Sequence, residues 1–353
     1  MKKLITLLFI VPGFILAMII ASSCTKEGPQ GPAGEDGIDG TNGTATCVQC
    51  HNEDEGLLAR VIQWEASVHA TGGNFERNST SCAPCHTSMG FREIVLSGEN
   101  TTATSIDNPT PINCYTCHNI HETYEVEDWG LRYIDPVTYL EGGATVDNGN
   151  ANLCTKCHQS RAAEPYPAAG PGEIVFSEDV SYRWGPHHGP QSNLYAGVGV
   201  SGAYELGGNY ENSWHTANLN DACITCHMAT PFGAQAGGHT FNMGYEYHGS
   251  FTLNTEGCIS SECHGSADNL VASVESKQTE IEDLLADLKV LLEENGIMDT
   301  LAHPGYLNVP GNYPNELAGA FYNYKFIEED RSHGMHNYKY TKTLLENSIE
   351  AIQ

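Results

Sequence analysis

Positive charge is what this sequence lacks most. Its 353 residues carry 16 Lys and Arg against 44 Asp and Glu, a formal charge of −28. A chain this acidic repels phosphate backbones and anionic lipid faces, which excludes nucleic acid as a partner. Patterns of regular strand alternation are scarce, and only seven methionines are present. The length leaves room for two or three domains. What stands out against these shortages is thirteen cysteines and sixteen histidines.

One long apolar run opens the chain. "MKK" is a basic start, "LITLLFIVPGFILAMII" the apolar stretch, and "ASSC" a closing run of small residues, the layout of an export signal. A single membrane-spanning helix is the other reading, although its length is borderline and Pro12 and Gly13 interrupt it. The cysteine favours the signal. "IIASSC" resembles a bacterial lipobox, with Ala21 where a larger aliphatic residue is usual. That resemblance implies cleavage after residue 23, lipid on Cys24 and a membrane anchor. Thr25 in the next position points to the outer membrane. Glycine at 28, 31, 34, 37, 40 and 43 then gives the period of three seen in collagen. So short a repeat makes a weak triple helix, so residues 24–44 read as a flexible tether in preference to a trimerisation element.

The cysteines are not spaced as disulfides. Five groups follow C-x-x-C-H: Cys47, Cys50 and His51; Cys82, Cys85 and His86; Cys114, Cys117 and His118; Cys154, Cys157 and His158; Cys223, Cys226 and His227. This is the attachment motif of c-type haem. Two thiols add across the haem vinyl groups, and two intervening residues let both sulfurs reach one porphyrin edge. The following histidine then points its imidazole at the iron. A zinc half-site or a redox dithiol would explain one copy, but five in an exported chain favour haem. With Cys24 assigned to the anchor, only Cys258 and Cys263 remain, followed at once by His264. A disulfide would leave His264 a coincidence, and zinc would need two more ligands. A haem motif with a longer loop uses all three residues, which brings the expected cofactors to six covalently bound haem c groups.

Six histidines are thereby proximal ligands, and ten remain: His69, His121, His187, His188, His215, His239, His248, His303, His333 and His336. They suffice to close every iron with a second imidazole, whereas the methionines outside the signal are too few. From roughly residue 45 to 353 the chain resembles the multihaem cytochromes related to cytochrome c nitrite reductase and hydroxylamine oxidoreductase. "WEASVHA" looks like a family phrase whose histidine is a distal ligand, which implies His69. "CHNIHE" places His121 where such histidines reach a neighbouring haem. "WGPHHGPQSNLYAG" resembles a His-x-x-Gln phrase and implies His188, with His187 as rival. "CHMATPFGAQAGGHTFNM" is similar to a segment ending in a ligand, here His239. The C-terminal "RSHGMHNYKY" implies His336, and His215 in "SWHTAN" completes the set.

The expected architecture is mainly α with extensive loops, few strands and long C-terminal helices. Motif starts mostly lie 32 to 40 residues apart, too close for separate apolar cores, so the haems themselves would form the core of residues 45–267. Residues 159–222, rich in Gly, Pro, Tyr and Asn, read as loops. In the C-terminal region, 268–353, Val274, Ile281, Leu284, Leu285, Leu288, Leu291 and Leu292 recur at helical spacing, with Gly296 as a stop. A second helix runs from about Tyr338 to the end, and "NELAGAFYNYKF" offers a third. Packing on the core is favoured for them over homo-oligomer contact.

Three functions follow. The first is an exported, lipid-anchored electron carrier with mostly bis-histidine haems, whose partners are other cytochromes or redox proteins. The second is a reductase or oxidase of nitrite, hydroxylamine or a sulfur oxyanion at one open haem. His187, His303, Tyr182 and Arg183 would line that site, although the lysine-bearing C-x-x-C-K motif of many nitrite reductases is absent. The third, a spacer with idle haems, is disfavoured by the cost of covalent attachment. No catalytic residue is assigned.

Overall fold

The computed structural model describes residues 55–72, 75–219, 221–259, 264, 266–301 and 308–353. The signal, Cys24, the glycine repeat, the first motif (Cys47, Cys50 and His51), Cys263 and His303 lie outside these residues. From Thr46 onward the chain clusters as a single unit. The fold is mainly α with extensive loops, as the sequence implies.

Through the motif region the helices are short. In chain order they are α1 (Glu55–Glu65), α2 (Val68–Thr71), α3 (Ala83–His86), α4 (Ser88–Ser97), α5 (Cys114–Cys117), α6 (Asn152–Thr155), α7 (Gln191–Ala196), α8 (Trp214–Asn218), α9 (Ala222–His227) and α10 (Glu256–Ile259). Local capping holds several of them. Thr87 ends α3 and starts α4, its Oγ1 accepting the Gly90 N–H at 2.9 Å. Asn113 and Thr116 form a reciprocal capping box on α5. Gly98 closes α4 at φ +75°, a conformation that glycine takes without a Cβ penalty.

Strands are few and two-residue to four-residue. β1 (Val137–Thr138) pairs with β2 (Thr145–Val146), and β4 (Gly244–Tyr247) with β5 (Ser250–Leu253), both as local antiparallel hairpins. β3 (Glu173–Phe176) instead pairs across the chain with β6 (Gly311–Pro314), Ile174 opposite Tyr313. Residues 159–222 are therefore not only loops. They also deliver Trp184, Leu194, Tyr204 and Leu206 to the apolar core.

That core lies at the C-terminal helices α11 (Ala267–Glu294), α12 (Asn315–Asp330) and α13 (Tyr338–Ile352). Ile281, Leu288 and Leu292 form the fully buried stripe of α11, seven and four residues apart as a helix face requires. From α13 come Tyr340, Leu344 and Leu345. Between them α12 is buried on all sides, Phe321, Tyr322, Phe326 and Ile327 included. Each such side chain contributes about 1.5–3 kcal/mol when fully buried. The apolar faces of α11 and α13 are thus spent on packing within the chain.

Buried Asn323 ties the layers together. Its Oδ1 accepts the Tyr204 N–H at 2.8 Å, and its Nδ2 donates to the Tyr204 carbonyl at 2.7 Å and to Ser348 Oγ at 3.0 Å. Asn323→Ala strands the two Tyr204 backbone groups away from water. A loss of about 1–3 kcal/mol is expected, measured as a lower denaturant midpoint in the intact protein.

Candidate functional site

Cys82 and Cys85, Cys114 and Cys117, and Cys223 and Cys226 sit on, or at the start of, short helices, while Cys154 lies near the end of α6 and Cys157 in the turn that follows it. One turn brings residues i and i+3 onto the same face, so both thiols are presented to one side. The turn closes with the histidine, whose N–H bonds the carbonyl of the first cysteine: His86 to Cys82 at 3.1 Å, His118 to Cys114 at 2.9 Å and His158 to Cys154 at 2.9 Å. The described cysteines, from Cys82 to Cys258, are half-buried. Burial pushes the Cys117 thiol up to about 12, which keeps it protonated.

All five described motif histidines face a second histidine. Ring centroids are 6.2 Å apart for His86 and His187, 6.4 Å for His118 and His239, and 6.1 Å for His158 and His69. They are 6.3 Å apart for His227 and His336 and 6.1 Å for His264 and His215. Two imidazoles sharing a metal from opposite sides, each nitrogen about 2 Å from it, have centroids about 6 Å apart. Interplanar angles range from 36° to 89°. Such freedom suits rings that both point along one metal–ligand axis, about which each can rotate.

Of the six distal positions the sequence nominated, His69, His215, His239 and His336 stand opposite a motif histidine. For the third phrase, "WGPHHGPQSNLYAG", it is His187, the rival, that faces His86. His188 binds Glu329 at 2.5 Å through Nδ1. His121 sits in the left-handed region at φ 63°, stacked on Tyr124 and 3.3 Å from the Tyr115 hydroxyl. His333 pairs with Glu282 at 2.8 Å, and exposed His248 lies against Tyr247.

Second partners fix the rings. His118 Nδ1 donates to the Trp129 carbonyl at 2.7 Å and His227 Nδ1 to that of Phe241 at 2.9 Å. His158 Nδ1 meets Gln191 Oε1 at 3.2 Å. The glutamine of the His-x-x-Gln phrase therefore serves a different imidazole from the one beside it. His336 Nδ1 meets the buried carboxylate of Asp330 at 2.5 Å. Each contact leaves Nε2 for a metal.

Electrostatics agree. Burial, with His158 beside it, pulls His69 down to about 4. Burial and then Arg77 and Arg161 pull His86 down to about 4, and burial with Arg161 takes His187 to about 3. Burial also lowers His158, His215, His227 and His239. Neutral imidazole is the ligating form. For His336 burial is overcome by Asp330, and it is raised. Among the described residues no three His, Cys, Asp or Glu side chains converge as a metal site. Two imidazoles at each described pair, beside motif cysteines suited to covalent attachment, fit a metal whose remaining ligands come from a macrocycle.

The motifs also meet one another. Cys85 lies against Cys157, and Cys154 against Cys223. Beside the His86–His187 pair opens a cleft of about 360 Å³ lined by Arg77, Arg161, Tyr182, Arg183 and His188. Three of the chain's seven arginines meet there. Asp330, Arg77 and Arg161 were not nominated from sequence, because no spacing rule connects them to the imidazoles they act on.

No protein-family model matches the chain, and no curated protein matches it. Among solved structures, the crystal structure of the outer cell wall cytochrome OcwA matches with a TM-score of 0.52 and 22% identity, covering 83% of this chain and 50% of that one. The chain spans about half the length of that cytochrome and shares its fold.

The geometry predicts different outcomes for two adjacent substitutions. His187→Ala should remove one low-spin haem signal from the electron paramagnetic resonance spectrum, while His188→Ala should leave every low-spin signal in place.

Proposed function

We propose that this chain is a hexahaem c-type cytochrome that transfers electrons along a chain of bis-histidine sites. One observation carries the reading: every described motif histidine has a second histidine at the separation of two imidazoles on one iron. Haem, covalently attached at the cysteines, would supply reversible one-electron iron chemistry. The protein's part would be to offer two imidazoles to each group, so that neither oxidation state would need to gain or lose a ligand.

The five described pairs are His86–His187, His118–His239, His158–His69, His227–His336 and His264–His215. His51 with His121 would complete six. The cysteine contacts give a path: the 154–158 site touches the 82–86 site on one side and the 223–227 site on the other. Kinship with the nitrite reductase and hydroxylamine oxidoreductase group belongs to this proposal, as do an exported, lipid-anchored chain at the outer membrane, the collagen-like tether and redox-protein partners. The fold shared with an outer cell wall cytochrome supports an extracytoplasmic setting. Among the described residues no helix is long and apolar enough to cross a membrane.

The arginine-lined cleft favours a second reading, reduction of a small nitrogen or sulfur oxyanion at the 82–86 site. His187, Tyr182 and Arg183 line it as that reading requires, and guanidinium groups stabilise developing negative charge. The two readings separate in one measurement. For the carrier, the oxidised protein should show only low-spin haem signals that ignore nitrite and cyanide, and its mass should correspond to six attached haems. A high-spin signal that shifts on adding nitrite would replace the carrier with the reductase.

A further inference from the structure

We propose that Asp330 and Arg161 set a direction along this path, making the 223–227 site the weakest holder of an electron and the 82–86 site the strongest. The inference rests on the paired imidazoles being haem ligands, and adds an ordering of the sites that the pairing does not supply.

Asp330 is 2% exposed, and its carboxylate is fixed from both ends. Oδ1 takes the His336 Nδ1 hydrogen at 2.5 Å, and Oδ2 accepts the Ser332 N–H at 3.1 Å and the Ser332 hydroxyl. It is close enough to act on His227 as well, the imidazole across the same site. Negative charge on a ligand's outer nitrogen raises its basicity and favours the ferric state. Among the described imidazole pairs, this is the one with a carboxylate ion pair.

The opposite arrangement occurs at the 82–86 site. Arg161 Nη2 lies 3.0 Å from His187 Nδ1 and 3.2 Å from Nε2, and its Nη1 donates to the Ser81 carbonyl at 3.3 Å. Arg77 acts on both His86 and His187. A guanidinium stays charged throughout the working pH range, so this pair sits in a fixed positive field that favours the ferrous state. Between the two poles stands the 154–158 site, where His158 has the neutral amide of Gln191. Negative, neutral and positive surroundings thus follow the order of the cysteine contacts. With haem bound at these residues, Asp330 and Arg161 would favour passage of one electron from the first site to the last, oxidising one and reducing the other with no bond made or broken.

The test is a spectropotentiometric titration of the full haem-loaded protein and two variants. Asp330→Asn should raise the lowest potential by about a tenfold change in the ferrous-to-ferric ratio, about 59 mV for a one-electron couple, and change the g-values of one low-spin signal. Arg161→Gln should lower the highest potential and leave the lowest alone. An unmoved low end in Asp330→Asn with all low-spin signals retained overturns the ordering and leaves the carrier reading standing. Loss of the low-spin signals in the unmodified protein overturns the ligand reading itself. Where Asp330→Asn does not fold, half-buried Arg161→Gln decides alone, and an unchanged upper potential overturns the proposal.

Discussion

The structure turns on one recurring arrangement: two imidazoles from distant parts of the chain stand about 6 Å apart, ring centroid to ring centroid. Other neighbouring rings stand as far apart, Tyr166 and Tyr204 at 6.4 Å and His239 and Phe241 at 6.1 Å, so what sets these pairs apart is recurrence: each described motif histidine has a histidine at that separation. Meeting it several times over explains why the motif region is made of single helical turns and loops. A turn suffices to align two thiols and one imidazole, and the loop that follows is free to carry the second imidazole wherever it is needed. Long helices would fix directions that these pairings have to vary.

Such a region is poor in apolar side chains, and the chain compensates at its C-terminus. The bundle of α11, α12 and α13 carries many of the large buried residues, and the loop joining α12 to α13 carries His336. At its hinge, Arg331, His333 and Gly334 take left-handed φ of 62°, 49° and 86°, and the tight loop aims His336 at His227. Fully buried Asn337 locks the exit. Its Oδ1 accepts the Ser213 N–H at 2.8 Å and its Nδ2 donates to Asn212 Oδ1 at 2.9 Å. The same contact seats α8, which presents His215 to His264. One loop therefore couples two ligand pairs to the apolar core.

Much of this is legible in the sequence, for reasons that differ by feature. Cysteine spacing is read directly, because three-residue steps place two side chains on one side of a helical turn. The α11 and α13 faces are read from helical periodicity, and Ile281, Leu288 and Leu344 are buried as that periodicity demands. Choosing between His187 and His188 is beyond local pattern. Adjacent residues differ only in where the backbone points them, and here one turns to His86 while the other turns to Glu329. The pairing of Glu173–Phe176 with Gly311–Pro314 is equally invisible, since neither segment is long enough to announce a strand. Asp330 is hidden for another reason: a carboxylate in "IEEDRSHGMH" reads as one more acid in an acidic chain until its burial is seen.

The widest motif sharpens the point. Cys258 and Cys263 are further apart than the other pairs, yet His264 meets His215 at 6.1 Å, the separation found at the regular sites. In sequence the histidine directly follows the second cysteine, as at the regular sites. Ligand geometry is therefore conserved where thiol spacing is not. On the proposed reading the sulfurs would have slack, because two flexible side chains would reach one macrocycle edge, whereas the imidazoles would have none, because both would have to hold the same metal.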